Sequence, residues 1–316
     1  MTASATAIPR LPDDSWPRRI SRVLFAHPGL LLFLLIAPPL AWLGIIYLGS
    51  LFAFLAHSLF SIDGFTGQIV YEVSLDTFDR LLTAANLDVI ARTVLMATAV
   101  TLTDAAIAFP IAYYAARYAS PRAKAFFYLA VMLPLWSSYL VRVYAWKLVL
   151  AREGIIPWAA EQLHLTWLLE AVLGIPVIGG ATLSTSYIGT WVVFCYIWLP
   201  FMILPIQASL ERVPRTLVEA SADLGAHGGT TFRKVILPLA LPGVVAGSIF
   251  TFSLTLGDYI IPGIIGSSRP FIGQVVQSLQ GTAGDIPLAA AFSVVPILVM
   301  AIYLTIAKRL GAFNAL

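Results

Sequence analysis

The chain has 316 residues, of which 59% are hydrophobic and 11% are charged. With a mean hydropathy of +0.87, this composition excludes an ordinary soluble domain, where roughly a quarter of the residues are charged, and it indicates an integral membrane protein. The net charge of +3 is spread through the loops, so it reports membrane topology and not a nucleic-acid-binding face. Cys195 is the single cysteine, which rules out an intrachain disulfide.

The amino-terminal residues 1–28 are polar and precede a long apolar run, Gly29–Leu55. A cleaved signal peptide has an apolar core of only about 7–15 residues, so this run predicts an uncleaved first span. Arg18 and Arg19 also fit a twin-arginine export signal, but the long span that follows favours a cytoplasmic anchor. We therefore expect an arm over 1–28 and one membrane domain over 29–316.

Six stretches are long and apolar enough to cross a bilayer, which takes about 20 residues of helix. They are Gly29–Leu55, Val89–Ala116, Ala125–Leu150, Ala181–Ala208, Leu239–Ile265 and Pro287–Ala307. The sequence thus predicts an all-α protein with six transmembrane helices.

The basic residues are distributed unevenly between the two sides of these spans. With the amino terminus placed inside, the inner segments hold Arg10, Arg18, Arg19, Arg22, Arg117, Arg122, Lys124, Arg212, Arg215, Arg233, Lys234, Lys308 and Arg309. The outer segments hold Arg80, Arg152 and Arg269, with Arg92 near a boundary. By the positive-inside rule, both termini are predicted to be cytoplasmic.

Two long outer segments, 56–88 and 151–180, are too polar to span the membrane. Trp146, Trp158 and Trp167 lie in or beside the second, as is typical of amphipathic helices at a membrane interface. The two segments either cap the bundle or dock an external partner. No internal repeat is found, so the inverted-repeat design of many secondary transporters has no support here.

The longest charged interruption near the carboxyl-terminal half is the inner loop of about 209–238, between the fourth and fifth spans. Thr216 and Glu219 have the spacing of a capping box, which predicts that a short helix begins there. Its small and apolar residues share one face: Leu217, Ala220, Ser221 and Leu224. Gly225 is suited to end that helix in the left-handed conformation.

A second short helix is predicted after Gly228 and Gly229. Thr230 or Thr231 would cap it, it would run through Ile236, and Pro238 would mark the junction with the next span. The helix pair is either a connector packed on its own bundle or a knob that fits a groove on another subunit.

The spacing of the loop residues favours the second interpretation. The loop contains Glu219-Ala220-Ser221, three residues, Gly225, nine residues, Val235, one residue and Leu237-Pro238. This closely resembles the signature Glu-Ala-Ala, three residues, Gly, nine residues, Ile, one residue, Leu-Pro of permease subunits of binding-protein-dependent ABC importers. Ser221 and Val235 depart from it but preserve size and character. The resemblance implies a type I importer fold and an ATPase-coupling role for Glu219, Ala220, Ser221, Leu224, Gly225, Phe232, Leu237 and Pro238.

Three further segments resemble the spermidine/putrescine-type branch of these permeases. They are LPLWSSYLVRVYAWKLVL, WLPFMILPIQASLERVP and LGDYIIPGIIG, at Leu133–Leu150, Trp198–Pro214 and Leu256–Gly266. The resemblance implies polyamine import across a bacterial inner membrane by ATP-driven alternating access. It also implies a second permease of similar fold, two cytoplasmic ATPase subunits and an extracytoplasmic binding protein.

Two alternatives to polyamine import stay open. One is the same importer class carrying another small organic or anionic solute. The other is an ion-coupled secondary transporter; a membrane enzyme would require a catalytic constellation, which the sequence does not contain.

A Walker phosphate loop requires Gly-Lys followed by Ser or Thr, and no lysine here follows a glycine. The chain is therefore expected not to be an enzyme and to bind no cofactor; ATP and Mg²⁺ would be bound by the partner ATPase. No histidine begins a His-Glu-x-x-His motif, and no metal site is expected.

Ionisable residues inside a membrane are costly and are candidate functional residues. Thr251, Thr255, Asp258 and Pro262 recur with helical spacing and predict a polar stripe on the fifth span. Asp258, with Tyr259 beside it, either lines a path that a cationic amine crosses or caps a helix break before Pro262.

In the third span, Tyr139, Arg142 and Trp146 share a face, and the aromatic rings are able to hold a cation. Arg142 would repel a cation, so it is also a candidate ion-pair partner of Asp258 or an interfacial anchor; for an anionic solute, Arg142 and Lys147 become the leading contacts. Asp104, in the second span, belongs either to a helix–helix hydrogen bond or to the path.

Overall fold

The computed structural model describes residues 16–309, so Arg10 of the predicted arm lies outside the described residues. The chain divides into two compact units, Met1–Ala56 and His57–Leu316.

The first unit is a succession of helical segments. They are α1 (Trp16–Ala26), α2 (Pro28–Ala41), a π-helical segment (Trp42–Leu48) and α3 (Gly49–Ala56). The wider π turns follow Pro38 and Pro39, which supply no amide hydrogen to the helix. The apolar run Pro28–Leu59 buries none of its most apolar window, as expected of a helix that faces lipid or another protein, and it confirms the predicted first span.

The second unit is also mostly helical. Its helices are α4 (Asp76–Leu81), α5 (Ala84–Arg117), α6 (Pro121–Trp136), α7 (Tyr139–Val149), α8 (Ile155–Gln162), α9 (Thr166–Leu173), α10 (Tyr187–Arg212), α11 (Arg215–Asp223), α12 (Gly228–Thr231), α13 (Leu237–Gly257), α14 (Ile260–Ile264), α15 (Ile272–Gly281) and α16 (Ile286–Arg309). A π turn (Phe232–Ile236) joins α12 to α13, and single 3₁₀ turns occur at His57–Leu59 and Leu183–Thr185.

The core of the second unit is the packing of α5, α10 and α13 against one another. A Cβ atom on Gly243 would lie 2.5 Å from the carbonyl oxygen of Pro205, and one on Gly247 would lie 3.0 Å from the Cα of Met202. The α10 and α13 backbones therefore approach as closely as glycine permits, which is the usual packing of helices that have no hydrophobic drive to associate in lipid. Deep in this core, Met202 and Ile206 are fully buried.

The third predicted span is not straight. Helices α6 and α7 meet at a bend of 95°, so the prediction of one helix over Ala125–Leu150 is wrong. Pro134 removes one backbone donor, and Ser137 and Ser138 take extended ψ angles of 152° and 133° that end the first helix. Within residues 16–309, five helices are long and apolar enough to span, or six if this bent pair is one span.

The predicted fifth span is displaced along the chain. The helix runs continuously over Gly228–Gly257 and not over Leu239–Ile265. It stops at Gly257 because Asp258 leaves the helical conformation, with ψ of 131°. The predicted second, fourth and sixth spans are confirmed by α5, α10 and α16.

The two long outer segments differ from each other. Residues 56–88 form α4 and a short antiparallel pair, β1 (Ser61–Ile62) and β2 (Ile69–Val70), in which Ser61 faces Val70 and Ile62 faces Ile69. Asp63 closes the turn between these strands. Its carboxylate accepts hydrogen bonds from the amides of Thr66 and Phe65, and these bonds lower its pKa.

The second outer segment, by contrast, is largely helical and consists of α8 and α9. Ile156, Leu169 and Leu173 pack on the core cluster that includes Val193 and Ile197. These two helices therefore cover one end of the α10 core.

Candidate functional site

The helix predicted in the inner loop is α11, and it begins at Arg215. Pro214 is its N-cap, with φ of −63° and ψ of 139°, and no side chain caps the helix. The predicted capping box of Thr216 and Glu219 is therefore wrong. The N-cap is two residues earlier than predicted, which places Thr216 inside the first turn.

The carboxyl end of α11 is as predicted. Gly225 has φ of +76°, the left-handed conformation. The amide of Ala226 donates to the carbonyl of Ser221 at 3.0 Å, and the amide of Gly225 donates to the carbonyl of Ala222 at 2.8 Å. These two bonds are those of a Schellman motif, which satisfies the last carbonyls of the helix.

The predicted second short helix is instead the first part of the long helix Gly228–Gly257. His227 is its N-cap, so neither Thr230 nor Thr231 caps it, and Pro238 lies within the helix and not at a junction. The π turn comes just before Pro238, whose missing amide removes the α-helical bond to the carbonyl of Lys234.

Most of the predicted coupling residues are on the surface of this loop. The exposed ones are Glu219, Ala220, Leu224, Gly225 and Pro238, and Leu224 is 89% exposed. Ser221 and Leu237 are half-buried, and the Ser221 hydroxyl lies 2.9 Å from that of Thr231, which links α11 to the next helix.

Phe232 points the other way. Its ring packs edge-on against Phe109 and Tyr113 of α5, with 5.7 Å between ring centroids in each pair. Phe232 therefore anchors the loop to the bundle. Beneath α11, Leu217, Ala220, Ser221 and Lys234 help to line a hollow of about 530 Å³.

The loop is also held by polar side chains that the sequence analysis did not single out. Glu211 accepts from Lys124 Nζ at 2.8 Å, Tyr128 Oη at 2.8 Å and Gln207 Nε2 at 3.1 Å. Arg117 Nη2 donates to the carbonyl of Val213 at 3.2 Å. In sequence, Arg117 and Lys124 carry only a topology signal, because their partners are far along the chain.

At Asp258 the structure supports the capping interpretation. Asp258 Oδ1 accepts from the amides of Ile260 at 2.7 Å and Ile261 at 3.0 Å, which caps the short helix α14. Asp258 Oδ2 accepts from the hydroxyl of Tyr139 on α7. A Cβ atom on Gly273 would lie 2.7 Å from the carbonyl oxygen of Asp258, so α15 packs directly on this break.

The predicted polar stripe on the fifth span is wrong, because the helix ends before Asp258 and Pro262. Thr251 and Thr255 remain on α13, where both are buried, and the Thr255 hydroxyl donates to the Thr251 carbonyl at 2.7 Å. The Thr255 hydroxyl therefore donates its hydrogen bond within its own helix.

A hollow of about 360 Å³ opens beside the break. Its lining is Tyr139, Trp198, Ser253, Leu254, Gly257, Asp258, Tyr259 and Ile260. The rings of Tyr139 and Trp198 are stacked, with centroids 5.9 Å apart and planes inclined by 20°. The hollow thus combines a carboxylate with aromatic faces, the chemistry that binds organic cations.

The other two α7 candidates lie outside that lining. Arg142 does not pair with Asp258, as one interpretation expected, because the Tyr139 hydroxyl takes that position. Its guanidinium carbon lies 6.0 Å from the centroid of the Tyr139 ring, and Nε and Nη1 are buried without a hydrogen-bond partner. Trp146 packs on Tyr196 of α10, with 5.1 Å between centroids.

Asp104 is fully buried in α5, and neither carboxylate oxygen has a hydrogen-bond partner. The thiol of Cys195 on α10 faces it from the neighbouring helix. Both interpretations of Asp104, the helix–helix contact and the path, stay predictions. Across residues 16–309, no three His, Cys, Asp or Glu side chains are grouped so as to hold a metal ion.

Comparison with known protein families gives one match, over residues 108–313, to the family described as binding-protein-dependent transport system inner membrane component. This range includes the loop around α11 and the break at Asp258.

Two curated relatives extend the match over most of the chain. The inner membrane ABC transporter permease protein YdcU of Escherichia coli K12 is 54% identical over 94% of this chain and 95% of its own length. The spermidine/putrescine transport system permease protein PotB of Salmonella typhimurium SL1344 is 30% identical over 75% of this chain and 78% of its own length.

Solved structures agree in fold. A chain of a bacterial ABC transporter involved in the import of the acidic polysaccharide alginate superposes with a TM-score of 0.66, at 15% identity, over 92% of this chain and 99% of the other. A chain of a bacterial alginate ABC transporter in complex with alginate pentasaccharide-bound periplasmic protein gives a TM-score of 0.68, at 13% identity, over 94% and 98%.

Proposed function

Because the chain belongs to the family of binding-protein-dependent transport system inner membrane components, we propose that it forms one half of a solute path in an ATP-driven importer. The chain is a multi-pass inner-membrane permease of an ABC importer. In the proposal, its partners are a second permease of similar fold, two cytoplasmic ATPase subunits and an extracytoplasmic solute-binding protein.

The observation that carries this proposal is the exposed helix α11. It is ended by a Schellman motif, it leaves Glu219, Ala220 and Leu224 uncovered, and it is anchored from behind by Phe232. A short amphipathic helix presented in this way fits helix-in-groove recognition by another subunit. Closure of the ATPase pair would shift α11, and ATP with Mg²⁺ would be bound there and not in this chain.

The sidedness follows the same logic. The α5–α6 connection and the α11 loop are at one end of the bundle, because Lys124 contacts Glu211 and Arg117 contacts Val213. We place this end, rich in basic residues, and both termini in the cytoplasm.

For the solute we propose a polyamine such as spermidine or putrescine. Support comes from the PotB relative, whose name states that substrate, and from the hollow in which Asp258 lies beside the rings of Tyr139, Trp198 and Tyr259. The name of the YdcU relative states no solute. The alternative is another small organic or anionic solute, for which the unpaired nitrogens of Arg142 are the supporting observation.

The importer proposal is tested by reconstituting the permease pair with and without its ATPase subunits. We expect uptake only with the ATPase and ATP, and Glu219→Lys should lower uptake more than about tenfold, since a mispaired interface charge costs about 2–5 kcal/mol. Glu161→Lys, at an exposed position of α8, is the matched control and should retain uptake. Gradient-driven uptake by this chain alone would instead favour a secondary transporter, and chemical conversion of the solute would favour a membrane enzyme.

The solute proposal is tested by an uptake panel of polyamines and anionic solutes with Asp258→Asn. For a cation we expect KM to rise roughly tenfold, since a hydrogen bond to a charged group contributes about 1.5–3 kcal/mol. Asp79→Asn, at an exposed position of α4, is the matched control and should leave KM unchanged. Polyamine uptake that Asp258→Asn leaves unchanged would remove Asp258 from the path.

A further inference from the structure

The bent pair α6–α7 is hydrogen-bonded near its inner end and at its bend to the two regions described above. At its inner end, Lys124 and Tyr128 of α6 donate to Glu211, at the end of α10 and just before α11. At its other arm, Tyr139 at the start of α7 donates to Asp258 in the break after α13. The same two-helix element thus connects with the loop that carries α11 and with the aromatic hollow.

The inner connection is a concentrated one. Three donors from two helices converge on the single oxygen Oε1 of Glu211, at 2.8, 2.8 and 3.1 Å. Lys124 and Glu211 side chains are 33% and 30% exposed, so water only partly screens the pair. Because Glu211 is followed within four residues by the start of α11, its position sets where that helix begins.

The connection at Asp258 is better protected. Tyr139 is stacked on Trp198, which is 9% exposed, and its hydroxyl meets a carboxylate that also caps two backbone amides. A displacement of α7 therefore moves Tyr139, the hydroxyl partner of the Asp258 carboxylate that caps α14.

Elsewhere α6 and α7 are held mainly by half-buried side chains, such as Phe127 and Trp146, that pack on the core clusters. Val131 is the one buried side chain of α6, and Val143 is the one buried side chain of α7. The core helix α10, in contrast, buries residues along its whole length. With so small a packed surface, directed hydrogen bonds take a large share of the energy that positions the pair.

We propose that α6–α7 is a lever that transmits motion of the α11 loop to the hollow at Asp258, with Glu211 and Tyr139 as its two positioning residues. This inference rests on the proposed function, because ATP hydrolysis by a partner supplies the motion. Coupling of this kind requires that the two sites bias one common element. The common element here is the bent pair. Motion of the α11 loop reaches it through the bonds to Glu211, and it acts on the hollow through the hydrogen bond from Tyr139 to Asp258.

The test uses the complete importer with Glu211→Ala, Tyr139→Phe and the double variant, and it measures solute taken up per ATP hydrolysed together with KM. Each single variant is expected to lower uptake per ATP about tenfold, within the usual range of coupling between sites. KM should stay unchanged in Glu211→Ala. The double variant should be no worse than the poorer single variant, because both break one route.

Three companion variants separate transmission from simple loss of stability. Glu211→Gln keeps an oxygen for Tyr128 and Gln207 and should recover much of the coupling. Tyr128→Phe removes only one of the donors to Glu211. If Glu211→Ala does not fold, this variant still tests whether the Glu211 contacts affect uptake per ATP. Arg80→Ala breaks an ion pair with Asp285 that does not involve α6 or α7, so it should lower Tm at most and leave uptake per ATP unchanged.

The lever is overturned if the wild-type importer shows ATP-driven uptake and the Glu211 and Tyr139 variants keep the same uptake per ATP, or if the losses simply multiply in the double variant. Absence of ATP-dependent uptake in the wild type would instead refute the proposed importer function itself.

Discussion

The helix breaks after α11 and after α13, both in the second unit, are built in opposite ways. After α11 the chain turns on Gly225, on the surface, with backbone hydrogen bonds alone closing the helix. After α13 it turns on Asp258, whose carboxylate caps two amides and accepts from a tyrosine of another helix. The first break needs one permissive residue, whereas the second needs a set of partners.

Solvent explains the difference. At the exposed loop, water is available to any backbone group that lacks a partner, so conformation alone decides whether the turn forms. At Asp258 the break is partly buried, packed under α15 and beside α7, so its polar groups have less water available and are paired within the protein. We therefore expect substitutions at the buried break to act through lost hydrogen bonds and those at the exposed break to act through backbone strain.

The largest effect is expected from Asp258→Leu. It leaves the amides of Ile260 and Ile261 and the hydroxyl of Tyr139 without their acceptor, and each buried orphan group costs about 1–3 kcal/mol. We expect a marked fall in Tm and in the yield of folded protein. Thermal unfolding in detergent, followed for the purified permease, measures it.

Asp258→Asn is the matched control for this stability effect, since its amide oxygen still accepts from the two backbone amides. It should keep most of the Tm even where uptake of a cation is impaired. Equal Tm values for the Leu and Asn variants would mean that the carboxylate does not hold the break together.

The next largest effect is expected from Gly225→Val, which introduces backbone strain. The left-handed conformation costs about 1–2 kcal/mol for a residue with a side chain, and valine is branched at Cβ. No atom lies within 4 Å of a Cβ built on Gly225, so a steric clash is not involved. Uptake should fall about tenfold with little change in Tm, because the strain at a surface loop is relieved by moving α11.

Gly225→Asn distinguishes strain from loss of the glycine as such. Asparagine tolerates the left-handed region, so this variant should keep most of the uptake. If both variants transport equally poorly, the space at Gly225 and not its conformation is what the partner needs.

The features that the sequence predicted correctly are the ones that depend on local residues, as the break at Gly225 does. The apolar runs, the end of α11 at Gly225 and the signature around Glu219 are local patterns, and they led to the family and to most of the spans. The 95° bend between α6 and α7 was not predicted, because the two helices together are long and apolar enough to count as one span. The predicted capping box is wrong because Pro214 is the N-cap of α11 and Thr216 already lies within the helix.

Long-range partners were equally out of reach. Tyr139 and Asp258 are 119 residues apart, and Tyr128 and Glu211 are 83 apart. Composition alone suggested a charged partner for Asp258, and Arg142 was the nearest candidate by that criterion. Packing instead brought a neutral hydroxyl to the carboxylate, a choice that depends on where α7 lies after the bend.

The smallest effect is expected from Ser221→Ala. The variant removes the 2.9 Å contact between the hydroxyls of Ser221 and Thr231, and a net hydrogen bond contributes only about 0.5–1.5 kcal/mol, with water able to replace it at this half-exposed position. Alanine also matches the small residue of the importer signature, so the face toward the partner is preserved. Uptake should change by less than about threefold, and a double-mutant cycle with Thr231→Val should return a coupling energy near the low end of that range. A tenfold loss would show that the exposed break depends on side-chain partners as the buried one does, and the contrast between the two breaks would no longer hold.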